Sequence, residues 1–133
     1  MFSQINKYIV ECTDEPDNLY YSVEVNGVGE AALVSLTEYG LENIPGIFMS
    51  EPGRKKRGFN TTNKSKLTAC AKFKTLIESK KMTLNSRSLV SELKNFVALE
   101  NSYKAKIGES DDLIMASLLT IRMLQQISDF NYD

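Results

Sequence analysis

The chain has 133 residues, 42% of them hydrophobic and 25% charged, with a net charge of −1, which is the profile of one ordinary globular domain and excludes a collagen-like or wholly disordered segment. It contains no histidine, so the commonest general base and the commonest zinc ligand are both absent and catalysis has to rest on carboxylates, lysine or a bound metal. No run approaches the roughly 20 apolar residues of a membrane span, Met1-Phe2-Ser3-Gln4 lacks the layout of a signal peptide, and Cys12 and Cys70, far apart and in helical patterns, read as small buried residues of a reducing compartment.

Phe2, Ile5, Ile9 and Val10 recur at helical spacing and predict a short amphipathic helix over residues 2–12, ended by the turn signal Thr13-Asp14-Glu15-Pro16-Asp17-Asn18. Residues 19–25 alternate, which predicts a strand with Leu19, Tyr21, Val23 and Val25 on one face and Tyr20, Ser22 and Glu24 on the other. Asn26-Gly27 ends that strand, and Val28, Ala31, Ala32, Leu36 and Tyr39 predict a helix over residues 28–39, stopped by Gly40. A short strand at 46–50 precedes a loop over 51–62 that holds Arg54-Lys55-Lys56-Arg57 and Gly58-Phe59-Asn60-Thr61-Thr62. Leu67, Cys70, Ala71, Phe73, Leu76 and Ile77 predict a helix over 64–80, Met82-Thr83-Leu84 a brief strand, and Leu89, Val90, Leu93, Phe96 and Val97 a helix from about Ser86. An edge strand over 101–107 and a last, largely buried helix from near Ser110 to about Ser128 complete the pattern. Short strands alternating with helices argue an α/β sandwich round a small sheet, without internal repeats or a domain boundary.

Charge is segregated along the chain. Residues 1–53 hold nine acids against Lys7 alone, residues 54–106 fourteen bases against three acids, and residues 107–133 five acids against Arg122. A basic middle between acidic flanks suits a polyanion-binding surface beside a metal site, or simply a solvated charged face. Glu24 stands near the end of the predicted central strand and Asp111-Asp112 opens the last helix. Three such carboxylates round Mg²⁺ or Mn²⁺ can activate water and stabilise the leaving oxygen of a phosphodiester without histidine. The plainer reading leaves Glu24 to water and makes the Asp pair favourable first-turn acids. Tyr20 and Phe59 could stack on DNA bases, although packing is the commoner use of such aromatics.

Four segments taken in order, Tyr20-Tyr21-Ser22-Val23-Glu24-Val25-Asn26-Gly27-Val28-Gly29, Arg57-Gly58-Phe59-Asn60-Thr61-Thr62-Asn63-Lys64-Ser65-Lys66, Ser91-Glu92-Leu93-Lys94-Asn95-Phe96 and Gly108-Glu109-Ser110-Asp111-Asp112-Leu113-Ile114-Met115, together resemble a known family. It is the C-terminal nuclease domain of the large terminase subunit, the DNA-packaging motor protein of tailed bacteriophages, and the likeness is closest to those of large contractile-tailed phages. The resemblance covers most of residues 19–120. It implies an α/β, ribonuclease-H-like fold truncated at its N-terminal strands, with residues 1–133 forming a partial nuclease domain that lacks the ATPase domain. The implied activity is that of a Mg²⁺- or Mn²⁺-dependent endonuclease, a hydrolase cutting concatemeric double-stranded viral DNA around packaging.

By the same resemblance Glu24, Asp111 and Asp112 are catalytic metal ligands. Arg54, Lys55, Lys56, Arg57, Thr61, Thr62, Lys64 and Lys66 then lie along the DNA, while Glu92, Leu93 and Phe96 belong to a helix that packs on the sheet. Two departures stand out: the family's first catalytic Asp lies on an earlier strand that this chain begins too late to include, and Ser110 occupies the place of a usual His before the Asp pair. Serine there can only cap the helix and donate a weak hydrogen bond. The chain is therefore expected to come from a split gene or a decayed fragment, and to be inactive without a partner. That partner is the rest of the terminase large subunit, with the portal and the small terminase subunit as further candidates, in the host cytoplasm and away from any membrane. The alternative is a non-catalytic DNA-binding or motor-docking fragment that keeps the fold but not the activity.

Overall fold

Backbone hydrogen bonding divides the chain into short paired segments and longer helices. The computed structural model describes residues 19–53, 57–99, 102–105 and 111–132, together with Gln4 and Lys7, which are helical and exposed. The rest of the helix expected over 2–12 and the turn after it lie outside the described residues, as does Cys12. Two compact units, Met1–Thr61 and Thr62–Asp133, make up the chain. It is mixed α/β and mostly helical, with a small two-stranded parallel sheet and one antiparallel hairpin.

The N-terminal unit holds β1 (Tyr20–Tyr21), α1 (Val28–Tyr39), a 3-10 turn (Leu41–Asn43) and β2 (Ile47–Phe48). The strand expected over 19–25 is extended but shared between two partners. Its first half pairs in parallel with β2, with Tyr20 opposite Ile47 and Tyr21 opposite Phe48; Ile47 N–H donates to Leu19 O at 2.8 Å and Met49 N–H to Tyr21 O at 2.9 Å. Its second half forms a parallel bridge between Glu24 and Phe59, through Phe59 N–H to Val23 O at 3.0 Å and Val25 N–H to Phe59 O at 2.9 Å. At the join between them, Ser22 Oγ donates to Met49 O at 2.6 Å. The Tyr21 and Phe48 rings meet edge to face at 5.5 Å, and Val25, Leu36, Ile44, Met49 and Phe59 are buried. Gly40 follows α1 at a positive φ of 96° and donates to Leu36 O, the stop that the sequence predicts.

The C-terminal unit holds α2 (Asn63–Glu78), α3 (Arg87–Lys94), β3 (Phe96–Leu99), β4 (Ser102–Ala105) and α4 (Asp112–Tyr132). Thr62 and Ser65 form a reciprocal capping box at the start of α2. Its far end closes in a Schellman pattern, Lys80 N–H to Ile77 O and Lys81 N–H to Leu76 O, with Lys80 at φ 59°.

The brief strand expected at 82–84 is instead irregular chain. Met82 N–H also donates to Leu76 O, so its donor is used on the helix end, and Met82 and Leu84 pack against the helical core. Phe96 and Val97 belong to β3 and not to the preceding helix. Asn95 stops α3, its N–H donating to Glu92 O and its Nδ2 to Ser91 O. The helical spacing misleads at Phe96 because its side chain still reaches the core that Leu89 and Leu93 face. β3 and β4 pair antiparallel, Phe96 opposite Ala105 through Leu99 opposite Ser102, so the strand expected within 101–107 is one arm of a hairpin.

The core of this unit is made by Ala69 and Phe73 of α2 with Ile114, Leu118 and Ile121 of α4. Those three α4 positions follow i, i+4, i+7 spacing, one helical face. The helix is less deeply buried than its composition suggests, since Leu113 and Leu124 are 40% and 48% exposed. No helix among the described residues is long and apolar enough to cross a membrane. Leu118→Ala should cost roughly 3 kcal/mol through the cavity it leaves, whereas Leu124→Ala should cost under about 1 kcal/mol. Urea unfolding of the two variants checks this, and equal losses would contradict the inward face assigned to α4.

Candidate functional site

In the N-terminal unit the residues after Glu24 form a tight, glycine-dependent turn. Gly27 has φ 54° and ψ −115° and precedes α1, a conformation that a side chain would oppose. Gly29 N–H donates to Asn26 O at 3.0 Å and Glu30 N–H to Gly27 O at 3.1 Å. The first turn of α1 then passes so close to the strand that a Cβ on Gly29 would overlap the Glu24 carbonyl group. Glu24 itself is half-buried, and Asn26 Nδ2 donates to its Oε1 at 3.1 Å, which steadies the carboxylate.

The basic loop is anchored beside this turn. Glu51 N–H donates to Gly58 O, Gly58 N–H to Ser50 Oγ, and Asn60 N–H to Glu51 Oε2 at 3.2 Å. Gly58 sits at φ 87°, where a Cβ would meet Val25 Cγ1 at 2.6 Å and Val23 O at 2.8 Å. Arg57 is exposed one residue before it, while Arg54, Lys55 and Lys56 lie outside the described residues. Phe59 is only 2% exposed and serves the core, which removes it as a stacking surface, whereas Tyr20 is 38% exposed.

In the C-terminal unit Asp111 precedes α4 and its carbonyl accepts from Met115 N–H at 2.9 Å. Asp111 is half-buried and Asp112 exposed. The first turn is met by a residue from another helix: Glu92 Oε1 accepts Leu113 N–H at 2.9 Å and Ile114 N–H at 3.3 Å. Thr62 is engaged in its capping box, Lys64 is exposed, and Lys66 Nζ lies 5.6 Å from the centroid of the Phe96 ring, a cation–π distance.

Of the residues singled out in the sequence, Glu24, Arg57 and Thr61 thus lie in the first unit, and Thr62, Lys64, Lys66, Asp111 and Asp112 in the second. Hard carboxylate oxygens fit a divalent cation in kind, but among the described residues no group of three or more acids or thiols is gathered that could hold one. Asn26, Glu51 and Glu92 are polar contributors that residue spacing alone did not reveal. Asn26 sits inside the quoted Glu24 motif, whereas Glu51 and Glu92 act across 9 and 21 residues of sequence. No model of a known protein family matches the chain, and no curated protein matches it.

A half-open apolar groove of about 560 Å³ in the second unit is lined by Leu67, Cys70, Phe73, Ile77, Leu93 and Phe96 among others. Cys70 is half-buried rather than fully buried. Burial pushes its thiol up, and the Lys66 charge opposes this more weakly. A protonated thiol is a poor nucleophile, so the groove gains little reactivity from it.

Two measurements follow from this geometry. Gly29→Ala should lower stability by roughly 2–3 kcal/mol through overpacking, although alanine is the better helix former by about 1 kcal/mol; an unchanged urea midpoint would show that α1 does not pass over Glu24. Cys70 holds its proton more tightly folded than unfolded, so this contribution to stability is complete below the unfolded pKa and is lost as pH rises through the folded one. Iodoacetamide labelling of the Cys70 peptide, read by mass spectrometry, should accordingly need a more alkaline pH in the folded chain than in urea, and coincident profiles would contradict the burial.

Proposed function

We propose that this chain is the C-terminal nuclease part of a viral DNA-packaging terminase large subunit, ribonuclease-H-like in fold and cutting concatemeric double-stranded DNA. The observation that carries this reading is the turn after Glu24. Each distinctive residue of Glu24-Val25-Asn26-Gly27-Val28-Gly29 has work there: Asn26 steadies the carboxylate, Gly27 takes the positive φ and Gly29 admits the close approach of the helix. Such a segment keeps one carboxylate steady at the end of an extended chain.

In this reading Glu24, Asp111 and Asp112 are the carboxylates offered to Mg²⁺ or Mn²⁺. The ion, when bound, supplies water activation and neutralises charge on the leaving oxygen. Arg54 to Arg57, with Thr61, Thr62, Lys64 and Lys66, hold phosphates, an interaction that weakens steeply as salt rises. The setting is the host cytoplasm, with the ATPase part of the large subunit, the portal and the small subunit as partners.

A second reading, a DNA-binding or motor-docking piece without catalysis, is favoured by the exposed lysines of α2, Lys64, Lys72 and Lys74. Nicking of supercoiled plasmid in Mn²⁺ separates the two. The chain should bind DNA in a salt-sensitive way and nick it once the remaining large-subunit polypeptide is added, and the combined Glu24→Ala, Asp111→Ala, Asp112→Ala variant should bind without nicking. Binding without nicking by the unsubstituted chain, partner included, would select the second reading; absence of binding would reject both.

A further inference from the structure

The groove beside α2, about 560 Å³ in volume, has the size of a small-molecule site; such sites run from about 300 to 1,000 Å³ and are mostly apolar with a few placed polar groups. Leu67, Ala71 and Ile77 of α2 line it, with Leu93, Phe96 and Leu118 from the elements packed opposite. Its lining follows α2 from Leu67 to Glu78, roughly 16 Å of helix.

Charge along this groove is uneven. Lys74 and Glu78 line one end but lie 3.9 Å from each other with most of both side chains in water, so they largely cancel. Lys66 stands at the other end. Its Nζ is 5.6 Å from the centroid of the Phe96 ring, and its charge reaches the thiol of Cys70, which also lines the groove. Lys66 is half-buried, whereas Lys64, Lys72 and Lys74 are exposed, and among the described residues no carboxylate pairs with it. Contact with a ring face leaves the N–H donors of the ammonium unused.

We propose that this groove binds a monomeric medium-chain carboxylate, with the alkyl chain along α2 and the carboxylate on Lys66. The apolar walls take hydrocarbon, and one unpartnered cation at one end takes one anionic head. A cationic head would meet Lys66, and a neutral head would leave its donors unmatched. A peptide helix on the same face calls for charges matched along its length, where the groove offers only the self-paired Lys74 and Glu78. The inference does not rest on the nuclease reading and shares only Lys66 with it.

The test titrates the full chain with dodecanoate, decanoate and octanoate at monomeric concentrations, by calorimetry, and follows alkylation of Cys70 by iodoacetamide to locate the bound molecule. Dodecanoate should bind one per chain and slow the alkylation. Each methylene removed should weaken binding about fourfold, and dodecanol should bind roughly tenfold or more weakly than dodecanoate, for want of a charged hydrogen bond. Lys66→Met should remove that advantage while leaving dodecanol unchanged, and Lys66→Arg should retain it. Ala71→Phe, a change at an exposed helix position that fills the groove, should abolish binding of both, with circular dichroism confirming the fold. No binding of dodecanoate would overturn the proposal, as would equal affinity for dodecanol or dodecylammonium. Binding that leaves Cys70 alkylation unchanged would place the molecule elsewhere and overturn it too. An acidic amphipathic peptide that protects Cys70 where dodecanoate does not would make the occupant a protein segment and likewise reject the carboxylate.

Discussion

The apolar face of α4 has to be covered, and the C-terminal unit is arranged round that requirement. Ile114, Leu118 and Ile121 lie one and two turns apart, and each is nearly inaccessible to water. At roughly 25 cal/mol per Å² of apolar surface removed from solvent, they outweigh an exposed ion pair. The Lys74–Glu78 pair, for instance, is 3.9 Å long with both side chains mostly in water. α2 supplies Ala69 and Phe73 to the same core, and α3 leans on it through Leu89 and Leu93. Once α3 is held there, Glu92 faces the opening of α4, so a polar contact at the candidate site follows from apolar packing.

The N-terminal unit is governed by a different constraint, the close approach of backbone to backbone. Residues 19–25 find acceptors and donors on two short segments, not on one long neighbour. Glycines stand where that crowding is greatest: Gly46 beside Leu19, Gly58 beside Val23 and Val25, and Gly29 against Glu24. A residue without a Cβ is needed at such points. This explains why the motif round Glu24 is rich in small residues, and why its carboxylate stands on backbone fixed from several sides.

Much of the helical organisation was legible in the sequence, because helices advertise themselves by spacing and by end signals. The segment Val28–Tyr39 with its Gly40 stop and the segment Asn63–Glu78 fall where periodicity put them. The failures have local causes. Met82 and Leu84 alternate like a strand but face a helical core, and Phe96 keeps helical phase after the helix has ended. The strand over 19–25 was visible as extended chain, yet its division between two partners depends on Met49 and Phe59, which are distant in sequence. The acids Glu24, in the first unit, and Asp111 and Asp112, in the second, stood out by type and position. Glu92 did not, because nothing in its helical spacing shows which helix end its carboxylate meets.

The Glu92 bond also bears on the order in which the chain acquires structure. A helix capped by its own neighbouring residue can begin locally, whereas the opening of α4 draws its acceptor from 21 residues upstream. Closing a loop of that length costs entropy before any contact repays it. Helix nucleation is itself unfavourable, because several dihedral angles are fixed for the first hydrogen bond. The first turn of α4 therefore has its Glu92 acceptor only once α3 lies against it, so this end of the helix depends on tertiary packing and not on its own sequence alone.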